Sequence, residues 1–353
     1  MCWLESTGLL WGLAPAGREV RLAVLVYSTC PTTARVSPEA FRQQLADVAG
    51  WAERAGLRGL LIFTDNEMID PWAAAQHIME RTERVVPLVA VQPLYLHPYS
   101  AARNISTLAH LYGRRVDLNF VTGGNRRDFQ ALGCTIDHDE RYARLVEFGK
   151  IMLDLLDNPE RLTHSGKYYQ LDGANLQPAM SPDLLPMRFL AGSSPVGIEA
   201  ARALDAVRLT YPLALEQYDD SSILSGAGIR LGIIARETSE EAWQVAHRLF
   251  PPDRVGEAKA KFLVHGVESQ WWHRLRQEPV TSGATYWLYP FHSFKTFCPY
   301  LVGSYREVGE TIARYLGLGV STLILGESYT EDDLFHAQLA LQHADRVGAQ
   351  HPL

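Results

Sequence analysis

From about residue 20 to residue 325, apolar runs of strand character alternate with segments of helical pattern, eight times over. Such alternation argues for parallel strands joined by crossover helices. The strands are expected at Val20–Tyr27, Gly59–Thr64, Val85–Val91, Val116–Val121, Arg188–Ala191, Ala206–Thr210, Ile229–Ala235 and Ser321–Leu325. Helix punctuation supports this division. Ser37-Pro38-Glu39 supplies a cap and a proline at the first helical position, and Gly56 follows the end of that helix at Ala55. Asp70 precedes a helix over Pro71–Arg81, Gly113 stops one over Ser100–Tyr112, and a long helix is expected at Glu140–Leu156. Eight units with no strand-poor half favour an α/β architecture of the (β/α)8 TIM barrel type over an open doubly wound sheet. No GxGxxG follows an early strand to mark a dinucleotide fold. A chain of 353 residues is a length that such barrels use as one domain, here residues 1–353.

Two segments depart from the repeat. Leu162–Leu176, with Gly166 between strand-like flanks, reads as a hairpin after the fourth helix. Phe250–Tyr300 reads as a lid-like insertion before the last barrel unit, with Pro251-Pro252, Trp271-Trp272 and a crowd of aromatics from Tyr286 to Tyr300. Long insertions on barrels are commonly lids or binding loops; packing onto the barrel or a subunit interface is the plainer account. A net charge of -7 argues against nucleic acid, which demands clustered Lys and Arg. No apolar run approaches the ~20 residues that span a bilayer. The first residues carry Glu5 and no basic stretch, which argues against a signal peptide. Cys2, Cys30, Cys134 and Cys298 show no metal-ligand spacing, so no metal is expected, and scattered thiols suit a reducing cytoplasm.

The chemistry concentrates in Arg114–Tyr142, RRVDLNFVTGGNRRDFQALGCTIDHDERY. Asp117 and Asn119 interrupt a strand that should be apolar on both faces. A buried Asn needs a hydrogen-bond partner, from the protein or from a ligand. Thr122, Gly123 and Gly124 follow, where backbone can approach a ligand closely. A second candidate is AGSSPVGIEAA, residues 191–201: a strand ends at Gly192, Ser193 and Ser194 sit in the cap region, and Pro195 suits the first helical position. Amides at a helix start attract a phosphate. A plain helix cap is the simpler reading of the same residues.

LNFVTGG followed by DHDERY resembles the flavin-binding segment of the bacterial luciferase-like monooxygenases, and of their alkanesulfonate monooxygenase branch in particular. PLVAVQP, FLAGSS, GIRLGIIARETSEEAW and LVGSYREVGETIARYLGLGVSTLIL extend the resemblance from about Leu60 to Leu325. It implies FMN at Asn119, Thr122 and Gly123, with the phosphate at Gly192, Ser193, Ser194 and Tyr142. His138 matches a histidine near the flavin, with helix capping as its alternative, and Gln92 falls where the family distorts its backbone beside the ring. Reduced FMN, FMNH2, would arrive from a separate NAD(P)H-dependent flavin reductase and react with O2 to a C4a-peroxyflavin. The family's habit of association implies a homodimer or homotetramer, to which Trp3 and Trp11 would contribute surface.

Departures from the branch bear on the substrate. Met68 stands where the branch has a cysteine, GIRLG keeps Arg230 but puts Gly232 in place of a histidine, and the tyrosine after the eighth strand falls near Ser328 or Tyr329. The arginine that holds a sulfonate has no clear counterpart beyond His292 and Lys295. Arg230 is expected to stabilise developing charge or a substrate carboxylate, and Glu67, His97 and Tyr329 to handle protons. Met68, Trp287, Tyr289, His292 and Lys295 are expected to contact a substrate bulkier than a simple alkanesulfonate, an acyl or aminoacyl chain of secondary metabolism such as antibiotic biosynthesis, presented by a carrier protein. The alternatives are alkanesulfonate oxidation itself, a deazaflavin-dependent oxidoreductase on the same scaffold, and a flavin-binding relative without catalysis.

Overall fold

The computed structural model describes residues 24–32, 36–158, 160–218, 224–253, 270–278, 284–328 and 330–350. Its first half runs β1 (Leu25–Thr29), α1 (Pro38–Arg54), β2 (Gly59–Ile62), α2 (Pro71–Arg81), β3 (Val86–Val91), α3 (Pro98–Tyr112), β4 (Asp117–Phe120), α4 (Arg126–Ala131) and α5 (His138–Asp157). A hairpin of β5 (Leu162–Ser165) and β6 (Gln170–Ala174) follows, then β7 (Arg188–Ala191), α6 (Pro195–Ala203) and β8 (Val207–Thr210). The last part holds β9 (Gly228–Arg236), α7 (Ser239–Leu249), α8 (Gln270–Gln277), β10 (Tyr286–Trp287), α9 (Tyr289–His292), β11 (Tyr300–Ser304), α10 (Tyr305–Gly317), β12 (Thr322–Leu325) and α11 (Glu331–Gln350).

Among the described residues, β1-β2-β3-β4-β7-β8-β9-β12 pair in parallel, and β12 pairs back onto β1, so the eight strands close. The expected TIM barrel is the observed fold. Strand and helix ends move by a residue or two, as frayed ends do. The first strand is shifted further, to Leu25–Thr29, while residues 20–23 lie outside the described set. The caps act as their residue types predict. Ser37 accepts from the Ala40 amide ahead of Pro38, Asp70 from those of Trp72 and Ala73, and Gly113 ends α3 at φ 61.

Alternation along the strands sorts the core into two populations. Leu60, Ile62, Val89, Leu118, Phe120, Leu190 and Leu323 face outward and pack under the helices. Tyr27, Leu61, Leu88, Phe189, Leu209 and Ile324 form a separate cluster with no helix residue in it, the filled lumen. Asp117 belongs at the floor of this lumen. Its Oδ2 accepts from the Tyr27 hydroxyl at 2.7 Å and pairs with Arg58 at 2.9 Å, and its Oδ1 accepts from the Met187 amide at 2.9 Å. Burial, and then the Asp117 charge, push the Tyr27 hydroxyl well above the ordinary tyrosine range, so it stays a donor. The polar interruption of the fourth strand is thus half structural.

β9 is long enough to leave the barrel. Its first residues pair with β8 and β12, whereas Gly232–Arg236 pair in parallel with β11, to which β10 adds antiparallel. Among the described residues no helix is long and apolar enough to cross a membrane.

Replacing Asp117 by Ala leaves the Arg58 guanidinium without its carboxylate and the Tyr27 hydroxyl without its acceptor, with only the Arg58 Nε bond to that hydroxyl remaining between them. Removing one partner of a buried pair costs about 3–5 kcal/mol, and the partial exposure of Arg58 puts the expected loss near the lower figure. Urea unfolding measures it; a loss below about 1 kcal/mol would contradict the assignment of this network as the lumen floor.

Candidate active site

Two polar groupings stand at the C-terminal ends of the barrel strands, on opposite arcs of the ring. The first spans β3, β4 and β7. Gln92 directly follows β3 and is 3% exposed. Gly123, at φ 81, lies so close to it that an added Cβ would meet the Gln92 Nε2 at 2.6 Å and the Phe129 ring at 2.7 Å. Asn119 pairs in register with the inward residues Ala90 and Phe189. It is 4% exposed, and its Oδ1 has no hydrogen-bond partner among the described residues. A buried amide oxygen left so is costly unless something outside the chain satisfies it.

Tyr142 ties this arc together from α5. Its hydroxyl hydrogen-bonds Thr122 and Ser194, contacts that partly offset the rise burial imposes on its pKa. Gly192 and Gly197 admit it: a Cβ on either would lie 2.6 Å or 3.1 Å from that hydroxyl. Ser194 is the cap of α6, with its Oγ accepting from the Gly197 amide and its side chain buried. Ser193 is the more exposed of the two. The two serines therefore differ: the Ser194 hydroxyl is turned into the helix start, while Ser193 is the less buried of the pair. His138 is the first residue of α5, which Asp137 caps, so the capping alternative for His138 gives way. Its ring packs edge-on to Tyr142 at 5.1 Å. All nine residues expected around a flavin thus gather on one arc or its rim.

The second grouping spans β9, β12 and β1. Arg230, 11% exposed at its side chain, lies 3.6 Å from Glu327 and stacks 4.6 Å over the Phe63 ring. It also hydrogen-bonds the Tyr211 side chain. Glu327 accepts from the Tyr300 hydroxyl at 3.2 Å, while its own amide donates to the Thr29 hydroxyl at 3.1 Å. It sits at φ 52, a left-handed backbone that side chains rarely adopt without a surrounding structure that holds it there. Burial raises its pKa, and Arg230 opposes the rise. Tyr300 faces Gly232 across the β9–β11 pairing, and an added Cβ on Gly232 would lie 2.4 Å from its ring. The histidine missing at Gly232 has therefore not left a hole, because Tyr300 fills it.

Other expected site residues fall elsewhere. Glu67 is exposed, its amide bound to Asp65 in a turn. His97 is the cap of α3, accepting from the Tyr99 amide at 3.2 Å with its ring edge-on to Tyr169; its place is structural, and α3 begins at Pro98 rather than Ser100 for that reason. Tyr329 lies outside the described residues. Met68 borders a hollow of about 20 Å³ with Cys30 and Phe63, just large enough for one water. Trp287 is 2% exposed, packed on Trp243, Phe250 and Tyr289. The Tyr289 hydroxyl accepts from the Asp253 amide, and Lys295 donates to the Pro251 carbonyl. His292 bonds the Leu275 carbonyl, and burial lowers its pKa. Among the described residues these side chains pack within the insertion and against Trp243 of α7, so their contacts are not those of an aromatic wall around the mouth.

Glu327, Tyr211, Phe63 and Thr29 escaped the sequence reading, and Tyr300 entered it only as one of the insertion's aromatics. For Glu327 a signal existed: a charged residue two positions past a barrel strand is where such folds place their chemistry. A cavity of about 580 Å³ opens at the other end of the barrel, among Val24, Arg58, Arg84 and Gln342. It touches neither arc, and the N-terminal face of these barrels serves stability.

The model of the luciferase-like monooxygenase family matches residues 24–222. A curated relative from Niallia circulans, the 4-(gamma-L-glutamylamino)butanoyl-[BtrI acyl-carrier protein] monooxygenase BtrO, is 35% identical over 309 residues, 84% of this chain and 89% of the relative. The chain belongs to the luciferase-like monooxygenase family and is an enzyme of its flavin-dependent monooxygenase class. Among solved structures, the oxygenating constituent of 3,6-diketocamphane monooxygenase from Pseudomonas putida, in complex with FMN, aligns at TM-score 0.66 with 16% identity, over 92% of this chain and 98% of that one. The F420-dependent tetrahydromethanopterin reductase from Methanopyrus kandleri aligns at 0.62 with 14% identity, over 91% and 97%. At such identities the likeness is one of fold, and that fold serves both cofactors.

Proposed function

We propose that this chain is the oxygenase of a two-component system, taking FMNH2 from a separate NAD(P)H-dependent reductase and oxidising an acyl or aminoacyl chain borne on a carrier protein. The observation that carries the reading is 35% identity across 84% of the chain to a relative whose named substrate is carrier-bound. The residues fit FMN. The unpaired Asn119 Oδ1 suits a ring N–H, the close approach at Gly123 suits a planar edge, and the start of α6 suits a phosphate. When bound reduced, FMN supplies the electrons that let one oxygen atom of O2 enter the substrate while the other leaves as water.

The chain's own part is to bind, orient and keep dry. Asn119 and Gln92 would hold the ring's polar edge, with Thr122 fixed by Tyr142. Ser193 would donate to the phosphate from the rim, and the first amides of α6, which lack intrahelical acceptors, would add to it. Ser194 holds the helix start in place. Replacing Ser193 by Ala should weaken FMN binding by about 1.5–3 kcal/mol, the worth of a hydrogen bond to a charged group. Ser194→Ala should instead lower stability by about 1 kcal/mol, the worth of a cap. Fluorescence titration and thermal unfolding separate the two; equal FMN affinity in Ser193→Ala and the parent would remove Ser193 from the site.

The insertion is read as a lid by its place. Trp271 donates to the Tyr211 carbonyl and Tyr286 to that of Pro212, so it grips the loop beyond β8 at the mouth's edge. Limited proteolysis within 250–300 should slow when FMN and substrate are present; cleavage indifferent to both would mark the segment as packing alone.

The carrier itself is tested by turnover with a flavin reductase present. The same acyl group is offered on an acyl-carrier protein and as a small free thioester. Remote binding energy should favour the carrier-bound form by on the order of tenfold or more in kcat/KM. Equal values would withdraw the carrier from this reading while leaving the oxygenase in place.

A further inference from the structure

An arginine at a substrate mouth is an invitation to anions, yet Arg230 already has close neighbours on three sides. Glu327 lies 3.6 Å from its guanidinium, Tyr211 hydrogen-bonds it, and the Phe63 ring covers one face at 4.6 Å. The carboxylate that answers it is itself held from several directions. The Tyr300 hydroxyl donates to it at 3.2 Å and the Phe297 amide donates too, while its backbone is bound to Thr29 in a left-handed conformation. Gly326 before it admits no side chain, since a Cβ there would meet the Cys298 Sγ at 2.4 Å. Tyr300, Phe297 and Cys298 all come from the insertion and the strand that ends it. The pair is therefore held in the mouth by the ends of several barrel strands together with the insertion.

A fixed carboxylate beside a fixed guanidinium changes what the mouth attracts. A free anion arriving at Arg230 meets attraction and repulsion of similar size, because both charges lie within a few ångströms of it. It would also pay to leave water. A neutral amide, ester or hydroxyl meets no such opposition.

We infer that Glu327 is a specificity residue: it neutralises Arg230 and keeps free anionic head groups out of the mouth, so that the end of the substrate which reaches the flavin carries no net charge. Electrostatic exclusion of the wrong ligand is a common route to selectivity. The inference rests on the mouth being the substrate site, as in the function proposed above. It also gives the insertion a chemical task, since the insertion supplies the Tyr300 and Phe297 donors that pin the carboxylate.

The test is calorimetric and needs no turnover. Octanesulfonate and octanamide are titrated into FMN-loaded protein, with FMN affinity followed for each variant. Glu327→Gln should bind octanesulfonate on the order of tenfold tighter than the parent, or better, with octanamide unchanged. Arg230→Gln, which removes the cation, should gain nothing for the sulfonate. Glu327→Ala serves as a second variant and should gain sulfonate affinity as Glu327→Gln does. Sulfonate affinity no higher than the parent's in whichever of these two Glu327 variants folds overturns the inference while FMN binding stands. A parent protein that binds no FMN would overturn the flavin reading instead.

Discussion

A ring of eight strands encloses a space that water cannot be left to fill, and the side chains that fill it decide what the rest of the barrel can carry. Here the filling is graded. Tyr27, Leu88, Phe189 and Ile324 close the middle, and Asp117 with Arg58 closes the floor. Because the lower lumen is sealed, polar groups higher up are reached only from the C-terminal mouth. That is why Asn119, two residues beyond Asp117 on the same face of the same strand, can be buried in the chain and still be available to a ligand.

The mouth divides by charge. The arc over β3, β4 and β7 carries neutral donors and acceptors, with Tyr142 bracing Thr122 against Ser194. The arc over β9, β12 and β1 carries Arg230 and Glu327, opposite charges in mutual contact. The buried polar groups of the first arc are neutral and the two charges of the second face each other, which is an environment suited to a planar, uncharged ring system and to a substrate delivered beside it.

The insertion contributes differently from the wall its composition suggested. Aromatic side chains stack on planar ligands, but they fill space between secondary elements equally well. Trp287 and Tyr289 are drawn into a cluster with Trp243 and Phe250 because β9 overruns the barrel and offers β11 an edge to pair with. Once β11 is docked, Tyr300 necessarily faces Gly232 and reaches Glu327. The glycine that looked like a lost catalytic group is a consequence of that docking.

Periodicity and punctuation alone determined the barrel, since strand and helix patterns and caps such as Ser37, Asp70 and Ser194 are local properties that tertiary packing left in place. The cap turn at 192–195, proposed as the phosphate site, and the polar strand at Asn119 were legible for the same reason: each is contiguous in sequence, and polarity at a buried position is visible without a fold. Only the tertiary structure separated Asp117 from Asn119, made His97 a helix cap, and joined Arg230 to Glu327 and Tyr300. These residues lie far apart along the chain, and nothing in their own neighbourhoods records the pairing. The closure of β9 onto β12, and of β11 onto β9, sets the 3.6 Å between the charges, and strand register is a property that only the assembled sheet possesses.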